Sequence, residues 1–322
     1  MDGILIIDKP VGYTSHDVVA RLRGILKTKR IGHTGTLDPF ATGVLVMLVG
    51  QATRLARFLD KDAKEYEAIV SFGFETDTGD RTGEPKRISD PGFQIPDSEF
   101  QISDGEIEIV LADFRGEIEQ TPPMYSAKKI NGKKLYELAR KGIEIERKTA
   151  KVTIYELDLI KPSNRRETQK NESQSADEKS GIWNLESEIK VVCSAGTYIR
   201  TLAEDIGRRL GTGAHLAELR RTRAGKFDLS KAVTIEQLEK TVFENKLGGY
   251  LISMNEAVSH LPPIVLSETE IKDVRNGKRL RFEIEAVENN QMLRMIDGAE
   301  ILIAIGFYLS EEKSVQPKLV LI

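Results

Sequence analysis

The residue best placed for chemistry in this sequence is Asp38, in the segment GHTGTLDPFATGVL at positions 32–45. Gly35 and Pro39 lie close to it, and an apolar run of strand length follows at residues 44–49. A loop shaped by Gly and Pro would therefore present the carboxylate at the end of a buried strand. A carboxylate so held can act as a nucleophile or as a base, although Asp is also common in ordinary surface turns.

Two further side chains have positions that suit a reactive site. Tyr66 opens an alternating strand pattern over residues 66–74, which places its ring on the buried side of the strand end, where it can stack on a base and handle a proton. Arg200 lies in the first turn of a helix predicted over Thr197–Leu210, where a cation is electrostatically unfavourable unless it has a specific partner. The alternatives are a core tyrosine and a helix-surface arginine.

Composition indicates an ordinary globular protein. The chain has 322 residues, 40% of them hydrophobic and 30% charged, with a net charge of −3. Cys193 is the single cysteine, so an internal disulfide and a cysteine-based zinc site are both excluded, and a buried, inert thiol is expected. No apolar run is long enough to cross a membrane and no signal-peptide core follows the N-terminus, which predicts a cytoplasmic protein.

The distribution of charge differs from the net value. Residues 120–151 carry nine basic and three acidic side chains, residues 196–226 carry seven and three, and residues 20–38 carry five and one. Residues 60–119, by contrast, carry 17 acidic and six basic side chains. If folding brings the basic segments together, they form one electropositive surface of the kind that binds nucleic acid. Taken singly, each segment is equally consistent with a solvated face.

Strand and helix patterns do not alternate regularly along the chain, which favours an α+β fold over a doubly wound one. Strands are predicted at 4–7, 66–74, 151–160 and 182–193, and helices at 53–59 and after an N-cap at Ser15. Residues 161–181 are almost devoid of apolar side chains and are predicted to be a polar insertion between two strands. A second, β-rich unit begins near Leu261, with a capping box at Ser267 and Glu270 and a helix stop at Gly277.

The segment around Asp38 resembles the catalytic motif of the bacterial tRNA pseudouridine-55 synthases. Six other blocks follow the order of that family, over a region that ends near Arg223: GILIIDKPVG at 3–12, KEY at 64–66, TDTGD at 76–80, QTPPMYSA at 120–127, GTYIRT at 196–201 and GAHLAELRR at 213–221. The resemblance implies a mixed, largely antiparallel pseudouridine-synthase sheet with flanking helices. It also implies a small β-rich, PUA-like C-terminal domain.

The same resemblance implies an enzyme that isomerises uridine 55 in the T loop of tRNA to pseudouridine. Such an enzyme moves ribose from N1 to C5 of uracil without redox or phosphoryl transfer, so neither a cofactor nor a metal is expected. The implied catalytic residues are Asp38, Tyr66 and Arg200, with Arg200 keeping the aspartate ionised and oriented. The implied substrate-binding residues are His33, which would fill the gap left by the extruded base, and Arg54, Asp80, Tyr198 and Leu219.

We therefore predict a catalytic domain over residues 1–250 and a PUA-like RNA-binding domain over residues 251–322. The first would contain a basic RNA-gripping insertion near 120–150 and the polar insertion near 161–181. The expected partner is tRNA, bound by a monomer that needs neither a membrane nor an obligate protein partner. Two alternatives stay open: a synthase that depends on a guide RNA and partner proteins, and an RNA-binding or RNA-folding protein without catalysis.

Overall fold

The computed structural model describes residues 1–86, 102–126, 128–130, 132–166, 184–282, 284 and 287–322. The helices are α1 (Ser15–Ile25), α2 (Ala56–Leu59), α3 (Asp104–Asp113), α4 (Leu135–Ala139), α5 (Ile199–Arg209), α6 (Ile235–Phe243), α7 (Met254–Ala257) and α8 (Glu268–Arg275). Short 3₁₀ segments lie at Gly50–Leu55, Leu229–Lys231 and Leu247–Gly249.

The strands up to residue 193 are β1 (Gly3–Lys9), β2 (Ile31–Thr34), β3 (Thr42–Val49), β4 (Lys64–Phe72), β5 (Glu75–Thr76), β6 (Pro85–Lys86), β7 (Gly116–Gln120), β8 (Lys129–Ile130), β9 (Lys133–Lys134), β10 (Ala150–Arg166) and β11 (Asn184–Cys193). The later strands are β12 (Ala214–Ala224), β13 (Phe227–Asp228), β14 (Ala232–Val233), β15 (Pro263–Val265), β16 (Leu280–Arg281), β17 (Met292–Ile296), β18 (Leu302–Leu309) and β19 (Ser314–Val320).

A ten-stranded mixed sheet forms the larger part of the fold. Eight strands follow the order β14-β1-β3-β12-β4-β11-β10-β7, while β2 pairs with β3 and β13 pairs with β12. Only the pairs β1–β14 and β3–β12 are parallel among the described strands of this sheet. The predicted mixed, largely antiparallel α+β sheet with flanking helices is therefore confirmed.

The strands that carry the site form for the reasons the sequence pattern indicates. The strand β3 is buried along nearly its whole length, as expected for a continuous apolar run, and lies between β1 and β12. In β4 the alternating residues Tyr66, Ala68, Val70 and Phe72 are all buried, whereas Glu67 between them is exposed. This pattern fixes which side chains of β4 face the core.

Two local boundaries differ from the sequence prediction. The N-cap of α1 is Thr14, whose side chain forms a capping box with Asp17, and not Ser15. Both residues can cap a helix, but the hydroxyl of Ser15 is buried and bonded to the loop that carries Asp38. The helix predicted from Thr197 begins at Ile199, because Tyr198 keeps an extended backbone as its N-cap.

The predicted polar insertion begins later than expected. The strand β10 continues to Arg166, and Asn164, Arg165 and Arg166 pair with Glu186, Leu185 and Asn184 of β11. Residues 161–166 are therefore strand, because the ladder is made by backbone groups and does not need apolar side chains. The remainder of the predicted insertion, residues 167–181, lies outside the described residues.

The C-terminal unit is a five-stranded sheet in the order β15-β17-β18-β19-β16, packed with α8, so the predicted β-rich C-terminal module is confirmed. The capping box of Ser267 and Glu270 opens α8, and Gly277 follows its end with a φ of 72°. A shared apolar core joins the unit to the back of the main sheet, where Leu302 and Leu319 belong to the same cluster as Ile4 and Val46. Within the described part of the chain, no helix is long and apolar enough to cross a membrane.

Candidate active site

The loop that carries Asp38 is fixed from several directions. It leaves β2 at Gly35, which has a φ of 66°, and enters β3 at Thr42. The Ser15 hydroxyl of α1 donates to the Leu37 carbonyl at 3.1 Å and accepts from the Leu37 amide at 2.9 Å. The amide of Gly12 donates to the Pro39 carbonyl at 2.8 Å. The carboxylate is therefore presented by a loop with little freedom to reorient.

Arg200 brings three separate segments together around this carboxylate. Its side chain is 5% exposed, and its Nε lies 2.9 Å from Oδ2 of Asp38. Its Nη1 donates to the Thr78 carbonyl at 2.7 Å, and its Nη2 donates to the Tyr125 carbonyl at 2.6 Å. Since a guanidinium is planar with donors at fixed angles, these three contacts fix both its position and its plane. The arrangement favours the functional interpretation of Arg200 over a surface arginine.

A second carboxylate, that of Asp80, also contacts Arg200, with its Oδ2 3.7 Å from Nη1. Its Oδ1 accepts from the Thr82 amide at 2.9 Å and from the Thr78 hydroxyl at 3.0 Å. Asp80 is 4% exposed, so the structure places it beneath the site, bonded within its own turn. The expected contact of Asp80 with an extruded nucleotide stays a prediction.

Opposing electrostatic effects act on Asp38. Burial raises the pKa of its carboxyl and Asp80 raises it further, while Arg200 and Lys9 lower it. Lys9 is fully buried, and its ammonium donates to the carbonyls of Pro10, Tyr13 and Pro39 at 2.9, 2.6 and 3.3 Å. Burial lowers the pKa of Lys9 to about 8, although the carboxylate of Asp38 opposes that change. The two cations therefore supply the charge that keeps a desolvated aspartate reactive.

Asp38 and Arg200 lie in a cleft of about 390 Å³ that also includes three of the other predicted residues, Tyr66, Tyr198 and Leu219. Leu219 on β12 is 7% exposed and pairs with Ala68 of β4, the strand that carries Tyr66. The backbone of Tyr198 is held by the side-chain amide of Gln120, which accepts from its N–H at 3.0 Å. Burial raises the pKa of both tyrosine hydroxyls. The cleft thus combines a carboxylate, a guanidinium, two phenols and an apolar wall.

The structure adds residues that the sequence reasoning missed. Arg221, Lys64 and Ser126 line the same cleft, and each is less than one tenth exposed. Spacing contained a signal for two of them, because Lys64 and Arg221 stand two residues from Tyr66 and Leu219 on their strands and so share their face. Lys9 belonged to a quoted motif, but nothing in its local pattern predicted a buried ammonium.

Two predicted substrate-binding residues lie outside this cleft. The ring of His33 meets that of His16 edge-on, with centroids 5.8 Å apart, and its buried Nδ1 has no hydrogen-bond partner among the described atoms. Burial lowers the pKa of His33 to about 4. The guanidinium of Arg54 donates to the carbonyl of Val320 in the C-terminal unit. Their expected contacts with RNA stay predictions.

The basic segment near 120–150 forms a small projection beside the cleft. It includes the hairpin of β8 and β9 and the helix α4, and both Lys128 and Lys133 are exposed. A second, larger cleft of about 650 Å³ lies between this segment and α5, but it contains neither Asp38 nor Tyr66. No cluster of His, Cys, Asp and Glu within the described ranges is arranged to hold a metal ion.

Comparison with known sequences decides the family. Residues 23–199 match the profile described as "TruB family pseudouridylate synthase (N terminal domain)", and residues 200–259 match "tRNA pseudouridylate synthase B C-terminal domain". The chain belongs to the TruB family of pseudouridylate synthases. One TruB relative, from Bacillus cytotoxicus and named tRNA pseudouridine synthase B, is 44% identical over 286 residues, covering 89% of this chain and 86% of its own. Another of that name, from Geobacillus thermodenitrificans, is 43% identical and covers 94% and 91%.

Solved structures place the TruB fold of this chain among pseudouridine synthases of other assemblies. A chain in a Cbf5-Nop10-Gar1 complex is 25% identical, with a TM-score of 0.69 over 99% of this chain and 85% of that one. A chain in an H/ACA RNP bound to a substrate RNA containing 2′-deoxyuridine superposes with a TM-score of 0.70 over the same shares at 24% identity. The latter likeness is one of fold, and it extends through the C-terminal unit.

Proposed function

We propose that this protein isomerises uridine 55 in the T loop of tRNA to pseudouridine, with Asp38 as its essential carboxylate and without a cofactor. The ion pair between Asp38 and Arg200 carries the proposal, because it sets a reactive group and its partner side by side at 2.9 Å. The cleft around them has a volume of about 390 Å³, within the range of sites that enclose small molecules. The tRNA substrate follows from the name that relatives at 43–44% identity share.

In the proposed reaction, the target nucleotide leaves the loop and enters the cleft, since its base is inaccessible while stacked. Asp38 acts on the nucleoside as nucleophile or base, ionised by the cations of Arg200 and Lys9. The detached uracil rotates and rejoins ribose through C5. Tyr66 and Leu219 enclose the ring from two adjacent strands, and Tyr66 removes the proton from C5.

The RNA backbone would be held mainly by basic side chains outside the cleft. Lys128 and Lys133 of the projecting segment are exposed and suited to phosphate contacts. We propose that residues 1–250 form the catalytic domain and that residues 251–322 add a PUA-like contact to tRNA. His33 would fill the space vacated by the flipped base, while Arg54, Asp80 and Tyr198 would support the flanking nucleotides.

We propose that the enzyme works as a cytoplasmic monomer on bare tRNA. The similarity to a chain of a Cbf5-Nop10-Gar1 complex favours the alternative of a guided synthase with protein partners. The greater identity to relatives named for a tRNA enzyme, 44% against 25%, favours the stand-alone reaction.

Incubation of the purified protein with an unmodified tRNA transcript tests the proposal. We expect chemical mapping and mass spectrometry to find pseudouridine at position 55 and nowhere else, with no added cofactor, guide RNA or protein. A transcript with cytidine at that position should contain none. Absence of pseudouridine from the first transcript, or its appearance only after a guide RNA is added, would refute the proposed function.

A further inference from the structure

The cleft contains a buried cation, Arg221, to which the proposed reaction has not yet assigned a role. Its residue is 1% exposed and lies in the middle of β12. Its Nε donates to the Val44 carbonyl at 2.7 Å, and its Nη2 donates to the Gly35 carbonyl at 2.9 Å. Both acceptors are neutral, so these contacts hold the guanidinium in place without cancelling its charge. A buried cation held this way costs desolvation energy that has to be offset.

The sheet places this cation beside the phenol of Tyr66. Arg221 and Tyr66 are direct partners in the ladder between β12 and β4, and both residues line the cleft. Directly opposed residues of an antiparallel pair project from the same face, with Cβ atoms about 5 Å apart. The guanidinium hydrogen-bonds to the Tyr66 hydroxyl. The third contact of Arg221 therefore reaches the group that faces the substrate ring.

We propose that Arg221 is a positioning residue that stabilises the Tyr66 phenolate and thereby enables Tyr66 to remove the C5 proton during pseudouridine formation. This inference rests on the proposed function and deepens it at one step. Among the described residues, it assigns a partner on β12 to the phenol, separate from the partner on α5 that Arg200 provides to Asp38.

The step that Arg221 assists conserves atoms and electrons. After ribose has rejoined at C5, that carbon carries both the sugar and a hydrogen, and a double bond joins C6 to N1. The C5–H bond breaks, its proton passes to the Tyr66 oxygen, and its electron pair forms the double bond between C5 and C6. The former pair between C6 and N1 moves to N1, which takes a proton from water. The phenol then releases its proton to solvent, and nothing is oxidised or reduced.

Electrostatics explain why the phenol needs a cation here. Tyr66 is 8% exposed, and burial raises the pKa of its hydroxyl, with Cys193 and Asp38 adding to that effect. Arg221 opposes these influences both by its charge and by its hydrogen bond. Without it, the phenolate would be scarce and C5 would keep its proton longer.

The simpler role for Arg221 is structural, because its bonds to Val44 and Gly35 tie β12 to β3 and to the loop of Asp38. The two roles predict different results with two substrates. 5-Fluorouridine has no proton at C5, so its rearrangement needs Asp38 but no base at C5. A misplaced Asp38 loop would slow both uridine and 5-fluorouridine, whereas a disabled phenol would slow uridine alone.

The experiment compares Arg221→Met, Arg221→Lys, Tyr66→Phe and the double variant Arg221→Lys/Tyr66→Phe with wild type, in single turnovers at saturating RNA. For Arg221→Met on uridine RNA, we expect pseudouridine formation to slow by about 10²-fold, as for loss of general base catalysis. Loss of 5-fluorouridine from the RNA should stay within about threefold of wild type. Arg221→Lys should retain more activity than Arg221→Met, because it keeps a cation near the phenol. RNA with deuterium at C5 should show a primary isotope effect in the slow variants.

The Tyr66→Phe background tests whether Arg221 acts through the hydroxyl. Adding Arg221→Lys to Tyr66→Phe should cost nothing further on uridine RNA, since coupled residues are not additive. Equal slowing of uridine and 5-fluorouridine, or a full additional loss in the double variant, would overturn the inference and leave Arg221 a structural residue. If wild type itself forms no pseudouridine, the proposed function fails, and this inference fails with it.

Discussion

Replacing Arg200 by alanine is the most informative change to the site, because one side chain holds three segments at the carboxylate. The substitution removes the 2.9 Å ion pair with Asp38 and the bonds to the carbonyls of Thr78 and Tyr125. Arg200→Lys is the matched variant. It keeps a cation, but a single ammonium cannot reproduce the geometry of the guanidinium fork.

The magnitude follows from the burial of the pair. Removal of one partner from a buried ion pair costs about 3–5 kcal/mol. Because the Asp38 side chain is 35% exposed, solvent screens part of this loss, and we expect the lower end of that range. About 3 kcal/mol lost from the transition state corresponds to roughly a hundredfold slower reaction. Arg200→Lys should lie between the alanine variant and wild type.

The pH dependence supplies an independent check with a definite sign. Burial raises the pKa of Asp38, and Arg200 is the largest influence that lowers it. Removing Arg200 therefore raises the pKa further. Since the ionised carboxylate is the active form, the acidic limb of the rate profile should move to higher pH in Arg200→Ala.

Single-turnover formation of pseudouridine in tRNA, at saturating enzyme and over a range of pH, measures both effects, and filter binding gives the affinity for RNA. The account expects a slow, pH-shifted chemical step and an affinity close to that of wild type. Weakened RNA binding with an unchanged rate and pH profile would show that Arg200 contacts phosphate and does not serve Asp38.

Three further changes have defined outcomes. Ser15→Ala removes the two bonds that fasten the Asp38 loop to α1, and it should lower the free energy of unfolding by about 1–3 kcal/mol in chemical denaturation and slow turnover while sparing RNA affinity. Charge reversal at Lys128 and Lys133 should raise the apparent Michaelis constant and flatten the plot of log affinity against log salt by about 0.7–0.9 per lost phosphate contact, without changing the saturated single-turnover rate. His33→Gln should remove a pH-dependent loss of stability, because His33 resists protonation until pH falls to about 4 while the unfolded chain binds that proton near pH 6.5.

Controls separate these effects from general damage. Thr14→Ala removes the N-cap of α1 without touching the loop, so its cost of about 1 kcal/mol should appear in stability but not in turnover. Equal turnover losses in Thr14→Ala and Ser15→Ala would contradict the anchoring role. For the lysines, Lys240→Glu on the exposed face of α6 should leave the salt slope unchanged. For His33, the wild-type protein should lose stability between pH 6.5 and 4, and an equal loss in His33→Gln would assign that dependence to other groups.

Local patterns allowed the position of Asp38 to be predicted from sequence. Gly35, Pro39 and the apolar run at 44–49 are all within a dozen residues of it, and they define the loop and the strand that follows. The strand parity of Tyr66 and the helix position of Arg200 are equally local. Each prediction needed only the geometry of a single element.

Other features depend on contacts that local patterns do not contain. Arg221 faces Tyr66 because β12 pairs with β4, although the two residues lie 155 positions apart in the chain. Ser15 resembles an N-cap by type, but its hydroxyl is used by a loop 22 residues away, and Thr14 takes the cap. The strand β10 continues through polar residues because β11 supplies backbone partners. In each case a tertiary contact overrides the local pattern.

The most direct test of the central claim is the activity of Asp38→Asn on a tRNA transcript, measured with protein free of the host enzyme. The substitution keeps the size of the side chain and removes the charge that nucleophilic or base chemistry requires. We predict no detectable pseudouridine at position 55, with RNA affinity and folding close to those of wild type. Measurable turnover by Asp38→Asn would contradict the account, because the reaction would then proceed without the carboxylate around which the site is built.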